Sequence, residues 1–183
     1  LLALLAAGVF YRSYWSNRSY TSYVPNRSDE SNWSNSPAPT RYTNAKYGFS
    51  FEKPAGYSIG AVPDAIGETL VVQSGATPLV PSTPEGNAVK GLGFQIYITP
   101  LDEPVELTPA FIKTDLPGTS VVNPLKIKLD DKADGIMFES NSSAFGGKSY
   151  EIWLTYNGRL YQITSYASFA EELKKIVGTW KFQ

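Results

Sequence analysis

Two glutamates on neighbouring predicted strands are the residues of this chain best placed to do chemistry. Glu139 and Glu151 would form a catalytic pair if their carboxyl groups faced each other across a cleft at about 5–10 Å, the separation that glycoside hydrolysis requires. Glutamates on strand surfaces are common and usually inert. A carboxylate-dependent hydrolase is therefore an alternative hypothesis for this chain and not the leading one.

The densest group of acidic residues surrounds Lys132. Asp130, Asp131 and Asp134 suggest a calcium loop, but Lys132 stands where the third-position ligand belongs, and no Glu stands at the twelfth position. We therefore predict a solvated turn between two strands. No metal site and no cofactor are predicted.

The residue types absent from the chain restrict its chemistry further. It contains no His and no Cys, which removes the commonest general base, thiol nucleophiles, disulfides and lipid attachment at a cysteine. We predict no catalytic residues. The 16 basic and 17 acidic residues nearly balance, which argues against a nucleic-acid partner.

Aromatic residues supply the candidate interaction surface. Trp153 and Tyr166 would form an exposed patch on one face of the predicted sheet, and Trp33 could contact a partner from a polar segment. The alternative for Trp153 is packing beneath a helix that begins after Thr108. Thr is a good N-cap, and Pro109 fits the first helical position.

Short alternating runs predict the strands that position these side chains. The runs cover residues 47–51, 57–62, 69–73, 91–99, 121–129 and 135–139. A loop rich in Pro and Gly covers residues 74–90. Pro124 lacks a backbone donor, so we expect residues 121–129 to form an edge strand or to contain a bulge.

The best-determined element is a hairpin over residues 150–156 and 159–166. Asn157-Gly158 favours a two-residue type I′ turn because both positions need positive φ. This turn sets Ile152 opposite Ile163 and predicts that this face belongs to the core. The opposite face, which carries Glu151 and Trp153, is predicted to be wet or covered by another element.

A helix and a last strand follow the hairpin. Ser168 and Glu171 have the spacing of a capping box, and apolar residues from Phe169 to Val177 form one helical stripe that ends at Gly178. Residues 179–182 can add a strand. The predicted class is α+β, a mostly antiparallel β-sheet with two or more helices packed on it.

The first 41 residues differ from this pattern. Residues 1–15 begin with an uncharged apolar run followed by aromatic and basic residues, and we interpret them as a truncated transmembrane anchor or signal-peptide remnant. A pilin-like N-terminal helix is a further alternative. Residues 16–41 are rich in Ser, Asn and Pro, which predicts a flexible linker. A single domain would then cover residues 42–183.

The start of this domain, Tyr47-Gly48-Phe49-Ser50-Phe51 with Pro54, and its closing hairpin, helix and strand resemble the PsbP-like superfamily. The resemblance implies an α-β-α sandwich and a non-enzymatic auxiliary role. The leading hypothesis is a non-catalytic interaction domain of the cell envelope, membrane-anchored outside the cytoplasm or secreted. Its expected partners are another envelope protein and, through the N-terminal segment, the membrane. A hydrolase and a pilin-like filament subunit are the alternatives.

Overall fold

The computed structural model describes residues 40–75, 93–142, 145 and 147–183. The predicted anchor, most of the linker including Trp33, the pilin-like helix and most of the Pro- and Gly-rich loop lie outside these residues. The described strands are β1 (Thr40–Asn44), β2 (Phe49–Lys53), β3 (Tyr57–Pro63), β4 (Glu68–Ser74), β5 (Gly93–Pro100), β6 (Val122–Leu129), β7 (Ala133–Ser140), β8 (Ser149–Tyr156), β9 (Arg159–Tyr166) and β10 (Lys181–Phe182). The helices are α1 (Pro109–Asp115) and α2 (Ala170–Gly178), with a 3₁₀ turn at Ala167–Phe169.

The strands form two antiparallel sheets. Seven strands form the larger sheet in the order β3-β4-β5-β9-β8-β7-β6, and β1-β2-β10 form a smaller sheet. The predicted α+β class with mostly antiparallel strands is confirmed. The smaller sheet packs on the same face of the larger one as α2, so the finer description as an α-β-α sandwich stays a prediction.

The β8–β9 hairpin has the predicted register. Tyr156 pairs with Arg159 and Ile152 with Ile163, and Asn157 and Gly158 have φ of 47° and 67°. Ile152, Leu154 and Ile163 are fully buried. The two-residue turn therefore fixes which face of the central strands enters the main core, because side chains alternate along a strand.

Stacked aromatic rings join the smaller sheet to this core. Trp180 stacks on Phe49 and Phe51 with ring centroids 4.5 Å and 5.2 Å apart, and Phe49 meets Tyr161 of the larger sheet edge-on at 5.9 Å. All four rings are at most 1% exposed. Because β10 pairs with β2 over only two residues, this packing is an important part of its attachment.

The predicted turn between β6 and β7 is present and also holds β10. The Asp130 carboxylate accepts hydrogen bonds from the Phe182 backbone N–H at 3.0 Å and from the Lys181 ammonium at 2.8 Å. These bonds lower the pKa of Asp130 below its ordinary value. Asp130 and Asp131 both have φ of 53°, a conformation that Asp tolerates better than most residues.

Two details of the prediction are wrong. Ser168 does not cap a helix: it lies inside the 3₁₀ turn, and the N-cap of α2 is Phe169, which makes no side-chain cap. Glu171, the expected capping-box partner, instead accepts a hydrogen bond from Lys174 at 2.7 Å. The first strand begins at Thr40, so Arg41, assigned to the linker, belongs to the fold and donates to Ser50 at 3.0 Å.

Tyr161 gives the fold a measurable response to high pH. Its phenol donates to the Tyr47 carbonyl at 3.1 Å, and burial raises the pKa of Tyr161 to about 12. Between about pH 10 and that value, Tyr161 ionises only in the unfolded chain, so stability must fall as the pH rises.

Tyr161→Phe should therefore lower the free energy of unfolding by about 1 kcal/mol at pH 7, because the hydrogen bond is missing. Above pH 10, the free energy of unfolding should fall less steeply with pH in this variant than in the parent protein. Urea unfolding curves at several pH values measure both quantities. Equal slopes for the two proteins above pH 10 would contradict the assignment.

Candidate functional site

Glu151 of β8 is the centre of a buried polar cluster on the second face of the larger sheet. Its carboxylate accepts hydrogen bonds from Thr164 Oγ1 at 2.7 Å and Ser149 Oγ at 2.9 Å, and the Trp153 indole N–H lies at 3.5 Å. Glu151 is 3% exposed. Alternation along β8 and direct pairing with Thr164 on β9 bring these groups together.

A separate apolar cluster covers the neighbouring part of this face. Thr108 caps α1 as predicted, with its Oγ1 accepting from the Phe111 N–H at 3.1 Å. Ile112 of α1 is fully buried. The buried members of the cluster are Leu107, Ile112, Ile136, Phe138, Trp153 and Leu160. Beside it, Gln162 donates to the Asp115 carboxylate at 3.0 Å.

Of the three aromatic residues predicted as an interaction surface, the two that the structure describes, Trp153 and Tyr166, do not form an open patch. Trp153 is fully buried and meets Phe138 edge-on at 6.0 Å, because α1 and its flanking segment cover this face. Tyr166 is half-buried and packs edge-on against Phe145 at 5.1 Å. Trp33 lies outside the described residues, so its predicted role is untested.

The carboxylate pair suggested by the sequence has the wrong geometry for hydrolysis. Glu139 pairs with Tyr150 and Glu151 pairs with Phe138, so the two side chains leave the sheet on opposite faces. Glu139 is exposed and accepts from Asn123 Nδ2 at 3.4 Å. The two carboxyl groups therefore do not share a cleft.

The structure also gives no support for a serine nucleophile at Ser58 or for a metal site in the described residues. Residues 56–60 have the spacing Gly-x-Ser-x-Gly, but Ser58 lies within β3 opposite Gln73, whereas a nucleophile elbow needs a sharp turn from strand to helix. In the described ranges, no group of three or more acidic side chains could hold a metal ion.

The outer strand β6 carries exposed apolar side chains, whereas the exposed surface was predicted at Trp153, Tyr166 and Trp33. Val122 is 47% exposed and Leu125 is 58% exposed, and they are the large apolar side chains that the described part of the chain leaves exposed. β6 is an edge strand, and its register shifts between Val122 and Leu125, where Asn123 has φ of 51°. The predicted edge or bulge at Pro124 is confirmed.

The bulge explains why these two side chains act as one surface. Val122 pairs with Glu139 and Leu125 pairs with Met137, two partners that lie on the same face of β7. Without the extra residue, positions three apart would point to opposite faces. We call Val122 and Leu125 the β6 patch. Pro124 signalled this edge in the sequence, but only the fold shows that nothing described covers the patch.

Charged side chains follow the β6 patch along the strand, on the opposite face of the sheet. Lys126 contacts Glu106 at 2.6 Å and Lys128 contacts Asp134 at 2.8 Å, with all four side chains more than half exposed. The hydrogen bond from Lys126 lowers the pKa of Glu106 and raises the pKa of Lys126. Exposed pairs of this kind contribute little to stability.

Comparisons with known proteins find similarity among solved structures. No protein-family model matches the chain, and no curated protein matches it. Among solved structures, the chain is similar to the solution structure of cyanobacterial PsbP (CyanoP) from Synechocystis sp. PCC 6803, with 13% identity, 79% of this chain and 92% of that chain covered, and a TM-score of 0.47. That structure is a member of the family that the sequence resembles. No helix within the described residues is long and apolar enough to span a membrane.

Proposed function

We propose that this chain is a non-catalytic interaction domain that binds another protein through the β6 patch. The observation that carries the proposal is the exposure of Val122 and Leu125, 47% and 58%, together on one edge strand. Apolar side chains at a sheet edge are a liability for a protein that works alone, because an edge can pair with another chain. A partner that covers them would remove this cost.

The polar interior of the domain supports binding over catalysis. The Glu151 carboxylate accepts from two hydroxyl groups inside the sheet, which fixes it as a structural acceptor. Glu139, the other half of the candidate pair, lies on the opposite face. No specific observation favours the hydrolase or the filament subunit over an interaction domain.

We further propose that the domain acts outside the cytoplasm, at the cell envelope, and that its partner is an envelope protein. Support comes from the sequence, where an uncharged apolar run at residues 1–10 precedes a segment rich in Ser, Asn and Pro. Such an arrangement suits a tether or a secretion signal followed by a linker. Degradation of the domain by protease added to intact cells tests this part, and full protection would contradict it.

Site-specific cross-linking tests the binding surface. A photoreactive side chain replaces Leu125 of the full chain or, as the matched control, the exposed Lys113 of α1. We expect a defined protein to be linked from position 125 and not from position 113. Val122→Ser should lower the yield from position 125 about threefold, because Val122 is 47% exposed and a partner would gain about half of the roughly 1.5 kcal/mol that full burial of a valine contributes.

Two outcomes would refute the proposed function. One is cross-linking of equal yield from positions 125 and 113. The other is turnover of a glycan or peptide by the purified chain that disappears in Glu151→Gln. Val122 and Leu125 are exposed, so we expect their replacement to leave the fold intact, and unfolding curves of each variant check this.

A further inference from the structure

The part of β6 beyond the bulge alternates basic and apolar side chains. Lys126 and Lys128 pair with Ile136 and Asp134 of β7, whereas Leu125 and Ile127 pair with Met137 and Gly135. Because side chains alternate between the faces of a sheet, the two lysines share one face, with side chains 73% and 54% exposed. The apolar residues share the other face, where Leu125 is 58% exposed and Ile127 is partly buried.

This alternation disfavours pairing between two copies of the chain. An antiparallel arrangement of β6 with itself would set lysine opposite lysine, and directly opposed like charges destabilise a sheet. Pro124 has no N–H to donate, and the bulge between Val122 and Leu125 interrupts the regular edge. Lysines, proline and bulges are the devices by which sheet edges avoid self-association.

The same features fit a different extended segment. We propose that the outer edge of β6, residues 125–129, adds a partner strand in which acidic side chains alternate with apolar ones. The acidic side chains would lie opposite Lys126 and Lys128, and the apolar ones would cover Leu125 and Ile127. This inference rests on the proposed function, since it specifies the partner at the strand that carries the β6 patch.

Lys126 and Lys128 already contact carboxylates, but these contacts allow a partner strand to bind. Glu106 and Asp134 are 71% and 79% exposed, so their ion pairs with Lys126 and Lys128 contribute little to stability. An ammonium group has three donors, so each lysine can bind a second carboxylate while it keeps the first. A partner strand would also bring backbone hydrogen bonds, the main source of affinity in strand addition.

The opposite edge of the larger sheet is an internal comparison. β3 has the sequence YSIGAVP and carries no charged side chain. A partner strand that recognises only an open sheet edge would bind β3 and β6 alike. A partner that depends on alternating charge should bind β6, and reversal of the two lysine charges should abolish the preference.

Peptide binding to the full chain tests the inference. The probe is a fluorescent synthetic peptide about ten residues long that alternates Glu and Val, and fluorescence anisotropy reports its affinity. We expect Lys126→Glu/Lys128→Glu to weaken binding at least about tenfold, since two attractive cross-strand pairs become repulsive. The variant should instead prefer a peptide that alternates Lys and Val.

The matched control is Lys113→Glu/Lys148→Glu, which makes the same charge change at exposed positions elsewhere and should change the affinity less than twofold.

A second probe separates strand addition from charge attraction alone. N-methylation of every backbone nitrogen of the Glu-Val peptide removes the donors on both sides of the strand and keeps every side chain, so it should abolish binding. Undiminished binding of the methylated peptide, equal losses in the two double variants, or no binding of the parent peptide would each overturn the inference. The proposed function would survive these results if cross-linking from position 125 still identified a partner. If the cross-linking failed while the peptide still bound, the proposed function would be refuted and the strand-addition inference would stand.

Discussion

Trp180→Ala is expected to lower the free energy of unfolding by about 4 kcal/mol, the largest loss that we predict for a single side chain. Trp180 is 1% exposed, and its ring stacks on Phe49 and Phe51 at 4.5 Å and 5.2 Å. The residue lies just before β10, which pairs with β2 over two residues only. Removing the indole would therefore leave a cavity and release the closing strand, and urea unfolding measures the loss.

Trp180→Phe is the matched control for this cavity. Its ring keeps most of the stacking area, and the change removes an indole N–H that has no hydrogen-bond partner among the described residues. A buried donor without a partner costs free energy, so the phenylalanine variant should lose no more than about 1.5 kcal/mol. If both variants lost the same amount, stacking of the aromatic rings would not be what holds β10.

Glu151→Ala is expected to cost about 3 kcal/mol, because it leaves buried donors without their acceptor. Thr164 and Ser149 donate to this carboxylate at 2.7 Å and 2.9 Å, and both are at most 2% exposed. Glu151→Gln should lose less stability than Glu151→Ala, because the amide oxygen still accepts a hydrogen bond. Some stability is still lost, because the amide nitrogen is a donor and faces other donors. Urea unfolding of each variant at pH 7 measures these differences.

Glu139→Ala provides the comparison on the other face of the sheet. Glu139 is exposed, and its hydrogen bond with Asn123 is 3.4 Å long, so its replacement should change stability by less than about 0.5 kcal/mol. Similar losses for Glu139→Ala and Glu151→Ala would show that the buried network contributes nothing particular. A large difference would support the structural role that the proposed function assigns to Glu151.

Most elements defined by local signals were predicted correctly from the sequence. Asn157-Gly158 determined the register of the central hairpin, Thr108-Pro109 started α1, and Pro124 indicated a bulged edge. Each signal acts through backbone geometry within a few residues, so distant contacts do not alter it. Ser168 failed because its capping-box partner, Glu171, bonds to Lys174 instead, and the chain enters a 3₁₀ turn directly from β9.

The candidate site depended on contacts that no local signal encodes. An alternating strand shows which residues share a face but not which face is covered. The sequence therefore left open whether Trp153 is exposed or packs beneath the helix after Thr108, and the structure shows it fully buried beneath the α1 segment. The polar cluster around Glu151 lies on one covered face of the sheet, whereas the exposed β6 patch lies at the edge of the opposite face.

The sequence by itself determined the class of fold, the hairpin register and the absence of His and Cys chemistry, because turn residues, alternation and composition are properties of neighbouring residues. Only the tertiary structure decided that Glu139 and Glu151 lie on opposite faces, that β10 closes a second sheet with β2, and that Val122 and Leu125 of β6 stay exposed. These outcomes depend on strand order and burial, which arise from packing between segments far apart in the chain.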